Sequence, residues 1–194
     1  MIRARDLERR FGDKRVISGL DLDVAERDVL VVVGPNGSGK STVLGLLSGL
    51  LAPTRGSLEI AVTRGEIGLL AHEALVYREL TALENLELYG RLYRVPERRE
   101  RIGMLLERYG LWGVRHQRVG EFSRGMTQRL ALCRTLLHDP RLVLMDEPYS
   151  ALDTAGVEVL DAELEALAGE RTLVVSTHDP ARVRHLATQE LALA

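Results

Sequence analysis

Residues 28–33 (DVLVVV) are the first clear hydrophobic block, an unbroken β-branched run closed by Gly34. A run without polar alternation predicts a strand covered on both faces. A glycine-rich stretch follows, and apolar positions over residues 40–50 then predict a helix. Pro53, Thr54, Arg55 and Gly56 read as a turn, with short strands predicted at 57–61 and 66–71. From Thr81 the period becomes helical. Thr81 and Glu84 make a capping box, whose hydroxyl and carboxylate satisfy the first free amides of a helix with Leu83, Leu86 and Gly90 on one stripe. A second helix is predicted from Pro96 to near Gly110. Ser123 caps a third, with Met126, Leu130, Cys133 and Leu137 at i, i+4, i+7 and i+11, ending before Pro140. Strand–helix alternation then resumes. A strand is expected at 141–145, a helix capped by Asp153 to about 168, and a strand at 172–176. A short helix opened by Asp179-Pro180 and an edge strand at 191–193 complete the pattern.

This alternation predicts an α/β fold with a mainly parallel sheet. At 194 residues and 21.6 kDa the chain fits one domain, residues 1–194. Hydrophobic residues at 45% and charged residues at 28% exclude a disordered chain. One cysteine excludes an internal disulfide, and it falls on an apolar helix stripe. A net charge of −2 and a pI near 6.2 argue against a nucleic-acid footprint, so no nucleic-acid partner is expected. The longest nearly apolar run, residues 43–52, falls short of the roughly 18–20 residues that span a bilayer. The first residues, MIRARDLERRFG, carry charge where a signal peptide needs an apolar core, so the expected location is cytoplasmic.

Candidate chemistry begins at Gly34, Pro35, Asn36, Gly37, Ser38, Gly39, Lys40, Ser41 and Thr42, which fit G-x-x-x-x-G-K-[ST] between a strand and a helix. Glycines let successive amides converge on phosphate oxygens, and the helix adds its positive end. Lys40 supplies charge for the β- and γ-phosphates, and the Ser41 hydroxyl is a Mg²⁺ ligand. A nucleoside triphosphate is the implied ligand. Asp146 and Glu147 end a second strand, and in an open parallel sheet both strand ends feed one crevice. Asp146 is assigned to Mg²⁺, through water, and Glu147 to the general base that polarises an attacking water. His178, after the strand at 172–176, reaches the same edge and is placed to contact the γ-phosphate. His72, His116, His138 and His185 show no metal-ligand spacing with one another or with Cys133.

The order of these motifs, with FSRGMTQRL at residues 122–130, resembles the nucleotide-binding subunit of ABC (ATP-binding cassette) transporters over essentially the whole chain. The resemblance implies a P-loop NTPase core, an antiparallel β-subdomain reduced between Gly56 and Leu70, and an inserted α-helical subdomain at residues 73–120 that touches a membrane partner. It implies that Phe11 stacks on adenine, that Asp153 is the D-loop aspartate and that His178 is the switch histidine. Ser123 and Gly125 match the signature serine and its second glycine. Ser123 also reads as a helix cap beside Gly125, a second anion site with no phosphate of its own. Two chains meeting head to tail would place each signature over the other's ATP. The resemblance thus implies a homodimer, ATP and Mg²⁺ as cofactors, an integral membrane transporter subunit as partner, and a place on the inner face of the cell membrane.

Arg124 and Met126 replace the signature's first glycine and its glutamine. Met126 sits on the apolar stripe, and Arg124 has two readings, added charge near the γ-phosphate or a solvated surface residue. His72 stands where the family usually has a glutamine that senses Mg²⁺ and couples to the membrane subunit. The segments AHE, LTALENL and FSRGM are similar to the ATPase subunit of haem exporters in cytochrome c biogenesis. The rival readings are another exporter ATPase (for a drug, lipid or ion), a non-transport member of the superfamily working on DNA or ribosomes, a nucleotide-gated module that scarcely hydrolyses ATP, and a small-molecule kinase. The signature helix and the strand-ending Asp-Glu pair favour water as acceptor over a metabolite.

Overall fold

The computed structural model describes residues 1–193. Chain order runs β1 (Ile2–Phe11), β2 (Lys14–Val24), β3 (Val29–Val33), α1 (Lys40–Leu47), β4 (Arg55–Ile60), β5 (Ile67–Leu70), α2 (Ala82–Leu92) and α3 (Arg98–Arg108). It continues with α4 (Arg124–Leu136), β6 (Leu142–Asp146), α5 (Thr154–Leu167), β7 (Thr172–Thr177) and β8 (Gln189–Ala192). A five-stranded sheet has the order β5-β6-β7-β3-β8, with every pairing parallel. A three-stranded antiparallel sheet has the order β2-β1-β4.

The continuous apolar runs have a plain cause. In β3, Val29 and Val31 enter one core while Leu30 and Val32 enter another. The same division holds for Val143 and Met145 against Leu142 and Leu144, and for Leu173 and Val175 against Val174. Strands β3, β6 and β7 are thus buried on both faces and need no polar alternation, whereas the edge strand β8 is half-buried at best. One core contains buried side chains of α2, α3, α4 and α5, and the other those of α1 and the antiparallel sheet.

The antiparallel pair β1–β2 has no counterpart among the elements predicted from periodicity. Its alternation begins with Ile2 and Ala4 buried, but register shifts between Ala4 and Leu7 and again after Leu7 break the period. Asp6 sits at φ 45° in this stretch, and its N–H is held by Asp21 Oδ1 at 2.8 Å. A bulge inserts one residue and so flips every side chain beyond it. The short path from β4 to β5, through one 3₁₀ turn at Arg64–Glu66, fits the expected reduction there.

Other elements shift by a few residues. Helix α1 ends at Leu47 rather than residue 50, and α3 starts at Arg98, two residues past Pro96. The buried positions of α2 are Ala82, Asn85, Leu86 and Gly90, with Leu83 only half-buried. Helices α2 and α3 lie within residues 73–120, and α4 packs against both. Among the described residues no helix is long and apolar enough to cross a membrane.

Candidate functional site

Parallel register sets the site. Val33 pairs with Thr177, and Asp146 pairs with Ser176, so β3, β6 and β7 end together and release Gly34, Glu147 and His178 along one edge. The loop from Gly34 to the start of α1 turns tightly. A Cβ on Gly34 would lie 2.5 Å from Ser38 Oγ and 2.6 Å from the Leu193 carbonyl oxygen. Gly39 takes φ +105°, and a Cβ there would meet Ile17 Cδ1 at 2.9 Å. Glycine is required at both positions for different reasons, close approach at the first and backbone conformation at the second.

Lys40 opens α1 and is 6% exposed. Its Nζ donates to the carbonyls of Gly34 at 2.8 Å and Pro35 at 3.2 Å. It also lies 3.2 Å from Glu147 Oε1, an ion pair, with no hydrogen bond to that oxygen. The first turn of α1 contains no acidic residue. A cleft of about 530 Å³ is lined here by Val16, Asn36, Gly37, Gly39, Lys40, Ser41 and Thr42, together with His72 and Glu147.

Asp146 is 5% exposed, and its Oδ1 accepts a hydrogen bond from Ser176 Oγ at 2.5 Å. The same hydroxyl accepts from the Glu147 N–H at 3.1 Å, as does the Ser176 carbonyl at 3.1 Å. One serine on β7 thereby fixes both acids at the end of β6. Glu147 sits at φ 48°, strained for a residue with a side chain, and these bonds hold it there. Glu147 Oε2 lies 2.9 Å from His178 Nδ1. An ionised carboxylate can only accept, so Nδ1 carries the shared hydrogen.

The residues present fit a triphosphate with Mg²⁺. Ser38 Oγ is buried without a partner, and the loop around Lys40 leaves helix-end amides facing the cleft. No group of three or more His, Cys, Asp or Glu that could hold a metal occurs among the described residues. A hard cation such as Mg²⁺ takes oxygen ligands, which the Ser41 hydroxyl and the Asp146 carboxylate supply beside phosphate oxygens and water. Ser41 is exposed at the cleft and Asp146 stands at the end of β6, separated from β3 by β7, whereas His72 is an exposed side chain on the cleft wall.

The signature residues lie elsewhere. Ser123 is the N-cap of α4, its hydroxyl accepting from the Met126 N–H at 3.2 Å. Gly125 approaches the loop before α5, where a Cβ would lie 3.3 Å from the Ala151 carbonyl oxygen. A separate cleft of about 650 Å³ is lined by Arg78, Phe122, Arg124, Gln128, Ser150 and Ala151, with His72 common to both clefts. Asp153 caps α5 through the Gly156 N–H at 2.9 Å. Phe11 is 46% exposed at the β1–β2 hairpin, with the Arg9 guanidinium 4.5 Å from its ring centre. Val16, on the other strand of that hairpin, is the residue that lines the 530 Å³ cleft.

Three positioning residues escaped the sequence reading. Ser176 was read only as the end of a strand, although a polar residue closing a buried run is itself a signal. Gln128 Nε2 donates to the Pro148 carbonyl at 3.2 Å and so ties α4 to the residue after Glu147. Asn85 is fully buried and makes three bonds: Nδ2 donates to the Tyr77 and Thr81 carbonyls, and Oδ1 accepts from the Tyr77 N–H.

The ABC transporter family matches residues 17–150. A daunorubicin resistance ATP-binding protein of Streptomyces coeruleorubidus is 39% identical over 182 residues, covering 88% of this chain and 58% of that protein. A lantibiotic transport ATP-binding protein of Streptococcus pyogenes is 30% identical over 194 residues, covering 96% and 84%. This chain therefore spans less than two thirds of the first relative's length and most of the second's. Among solved structures, a dimeric ATP-binding cassette in a post-hydrolysis state with ADP and Pi is similar at 29% identity. Its TM-score is 0.88, with 100% of this chain and 94% of that one covered.

Proposed function

We propose, because this chain belongs to the ABC transporter family of ATP-binding cassette ATPases, that it binds ATP, dimerises on it and hydrolyses it to drive a separate membrane subunit. The observation that carries this reading is the meeting of Lys40, Glu147 and His178 at one sheet edge, with Glu147 Oε1 3.2 Å from Lys40 Nζ and Glu147 Oε2 2.9 Å from His178 Nδ1.

The loop amides and Lys40 hold the β- and γ-phosphates. Ser41 directly and Asp146 through water would hold Mg²⁺, which when bound would neutralise charge on the phosphates. Glu147 orients a water against the γ-phosphorus and takes its proton as the P–O bond to ADP breaks, leaving inorganic phosphate. His178 keeps the carboxylate aimed through Nδ1. Phe11 contributes an aromatic face to the base, and Asp153 shapes the loop that meets a second copy.

The exposed Ser123 and the adjoining Gly125 serve the nucleotide of that second copy, arranged head to tail, so that two identical sites close together. The solved dimeric relative supports a dimer of cassettes. The helical region at 73–120 faces an integral membrane subunit at the inner face of the membrane, and His72 couples the two.

The relatives named above are a drug-resistance and a lantibiotic-transport protein, which supports an exporter of that kind. Haem export rests on the AHE, LTALENL and FSRGM segments alone. Co-purification of the membrane subunit decides between the two cargo readings. For the catalytic reading, light scattering of Glu147→Gln with ATP and Mg²⁺ should report a dimer. A monomer under those conditions overturns the shared-site mechanism.

A further inference from the structure

Past Glu147 and His178 the two site loops diverge, yet both return to one carboxylate. Tyr149, two residues beyond Glu147, donates its hydroxyl to Asp161 Oδ1 at 2.6 Å. Arg182, four residues beyond His178, donates Nη1 to Asp161 Oδ2 at 3.3 Å. The Arg182 guanidinium also lies 5.8 Å from the Tyr149 ring centre. Asp161 sits two turns into α5, outside the residues that line the nucleotide cleft.

His178 needs such a support. Its side chain is 62% exposed and its ring is held by Glu147. Its loop is anchored below by Thr177 Oγ1, which accepts from the Asp179 N–H at 3.0 Å, and by the buried Val183. The Glu147 backbone is fixed by Ser176, but the segment that follows leaves the sheet at once. Burial, and then the bond to Asp161, raise the pKa of the Tyr149 hydroxyl, so it remains a donor at neutral pH.

We infer that Asp161 is a positioning residue for hydrolysis: by accepting from Tyr149 and Arg182 together, it holds the loops of Glu147 and His178 in the register that keeps those two side chains in contact. The Arg182 contact alone is half-exposed and weak, whereas the Tyr149 contact is a short, charge-assisted hydrogen bond. Sharing one acceptor couples them. Misplacing a reacting group by about 1 Å costs on the order of a hundredfold in rate, so a partial loosening should cost about tenfold. The inference rests on the ATPase reading above.

The test measures steady-state phosphate release by the full chain across ATP concentration. Asp161→Asn and Tyr149→Phe should each lower kcat, the first by about tenfold, with KM for ATP within about twofold and Tm within a few degrees. Asp161→Glu should recover part of the loss. In a His178→Ala background, Asp161→Asn should change kcat by less than about twofold, because the pair it aligns is gone. A wild-type kcat in Asp161→Asn overturns the inference alone, as does the same fold-loss with and without His178, which would mark a purely structural role. Wild-type chain that releases no more phosphate than Glu147→Gln overturns the ATPase reading, and this inference with it.

Discussion

At the carboxyl edge of the parallel sheet, Lys40 and Asp146 are almost wholly buried and bonded to their neighbours. At the start of α4, Ser123 and Arg124 are exposed, and Arg124 has no hydrogen-bond or ion-pair partner among the described residues. Both places offer helix-end amides to an anion, but the first is built of buried side chains and the second of exposed ones. Arg124 also sits at the positive end of its helix, where the first turn has no acid to balance it. The buried edge is organised in advance within a protomer. In the proposed head-to-tail dimer the exposed end would be a half-site that closes over the second copy's nucleotide.

The contrast breaks most sharply at Glu147. Replacing it with Gln keeps the shape and removes the base, so kcat for ATP should fall by about 10²–10⁴-fold while ATP affinity changes little. Single-turnover hydrolysis beside equilibrium nucleotide titration measures both. A loss under tenfold would mean that water is not activated at the buried edge.

Lys40→Ala acts on binding. Removing a buried ammonium from the phosphate cradle should cost about 1.5–3 kcal/mol, roughly 10–100-fold in ATP affinity. Titration calorimetry reads it. An unchanged affinity would leave the glycine loop without its proposed role.

Ser123→Ala tests the exposed end. On the proposed head-to-tail arrangement, in which its hydroxyl would serve the partner's nucleotide, it should leave ATP affinity of the isolated protomer within about twofold, yet lower hydrolysis by about tenfold. Loss of the cap also lowers stability by about 1 kcal/mol, which thermal melting records separately. A protomer whose own ATP binding weakens with Ser123→Ala would erase the distinction between the two ends.

The sequence foretold the buried edge better than the regions around it, for physical reasons. Strands β3, β6 and β7 are covered on both faces, so their composition alone marks them, and the residues that follow them are placed by parallel register. Thr81, Ser123 and Asp153 were legible as caps because capping is local in sequence. β1 was not legible, because its bulges break the two-residue period, although Gly12-Asp13 between paired Phe11 and Lys14 is a hairpin signal that was there to read. Ser176, Gln128 and Asp161 act across 30, 20 and 12 residues on Asp146, Pro148 and Tyr149, and no short pattern carries that. The resemblance placed His72 at a Mg²⁺-sensing position, but that it lines two clefts depends on tertiary packing and shows in no local pattern.

The smallest expected effect sharpens the comparison from a third helix end. At α2, Thr81 Oγ1 accepts from the Glu84 N–H at 3.1 Å, and Glu84 Oε2 accepts from the Thr81 N–H at 2.8 Å. Here the free amides are met by the chain's own acid, unlike those of α4. The Thr81 N–H first, and its hydroxyl second, hold the Glu84 carboxyl below its ordinary 4.5. Unfolding returns it to that value, so the native state binds fewer protons at this group. Its stabilisation is complete above the ordinary value and is lost as pH falls through the lowered one. Glu84→Gln should therefore flatten slightly the loss of Tm between about pH 6 and pH 3, with hydrolysis at neutral pH unchanged. If Glu84→Gln instead lowered hydrolysis as Ser123→Ala is expected to, a helix end closed by its own acid would behave like one left open. Exposure and missing charge balance at α4 would then no longer mark it as the end that waits for a partner's phosphate.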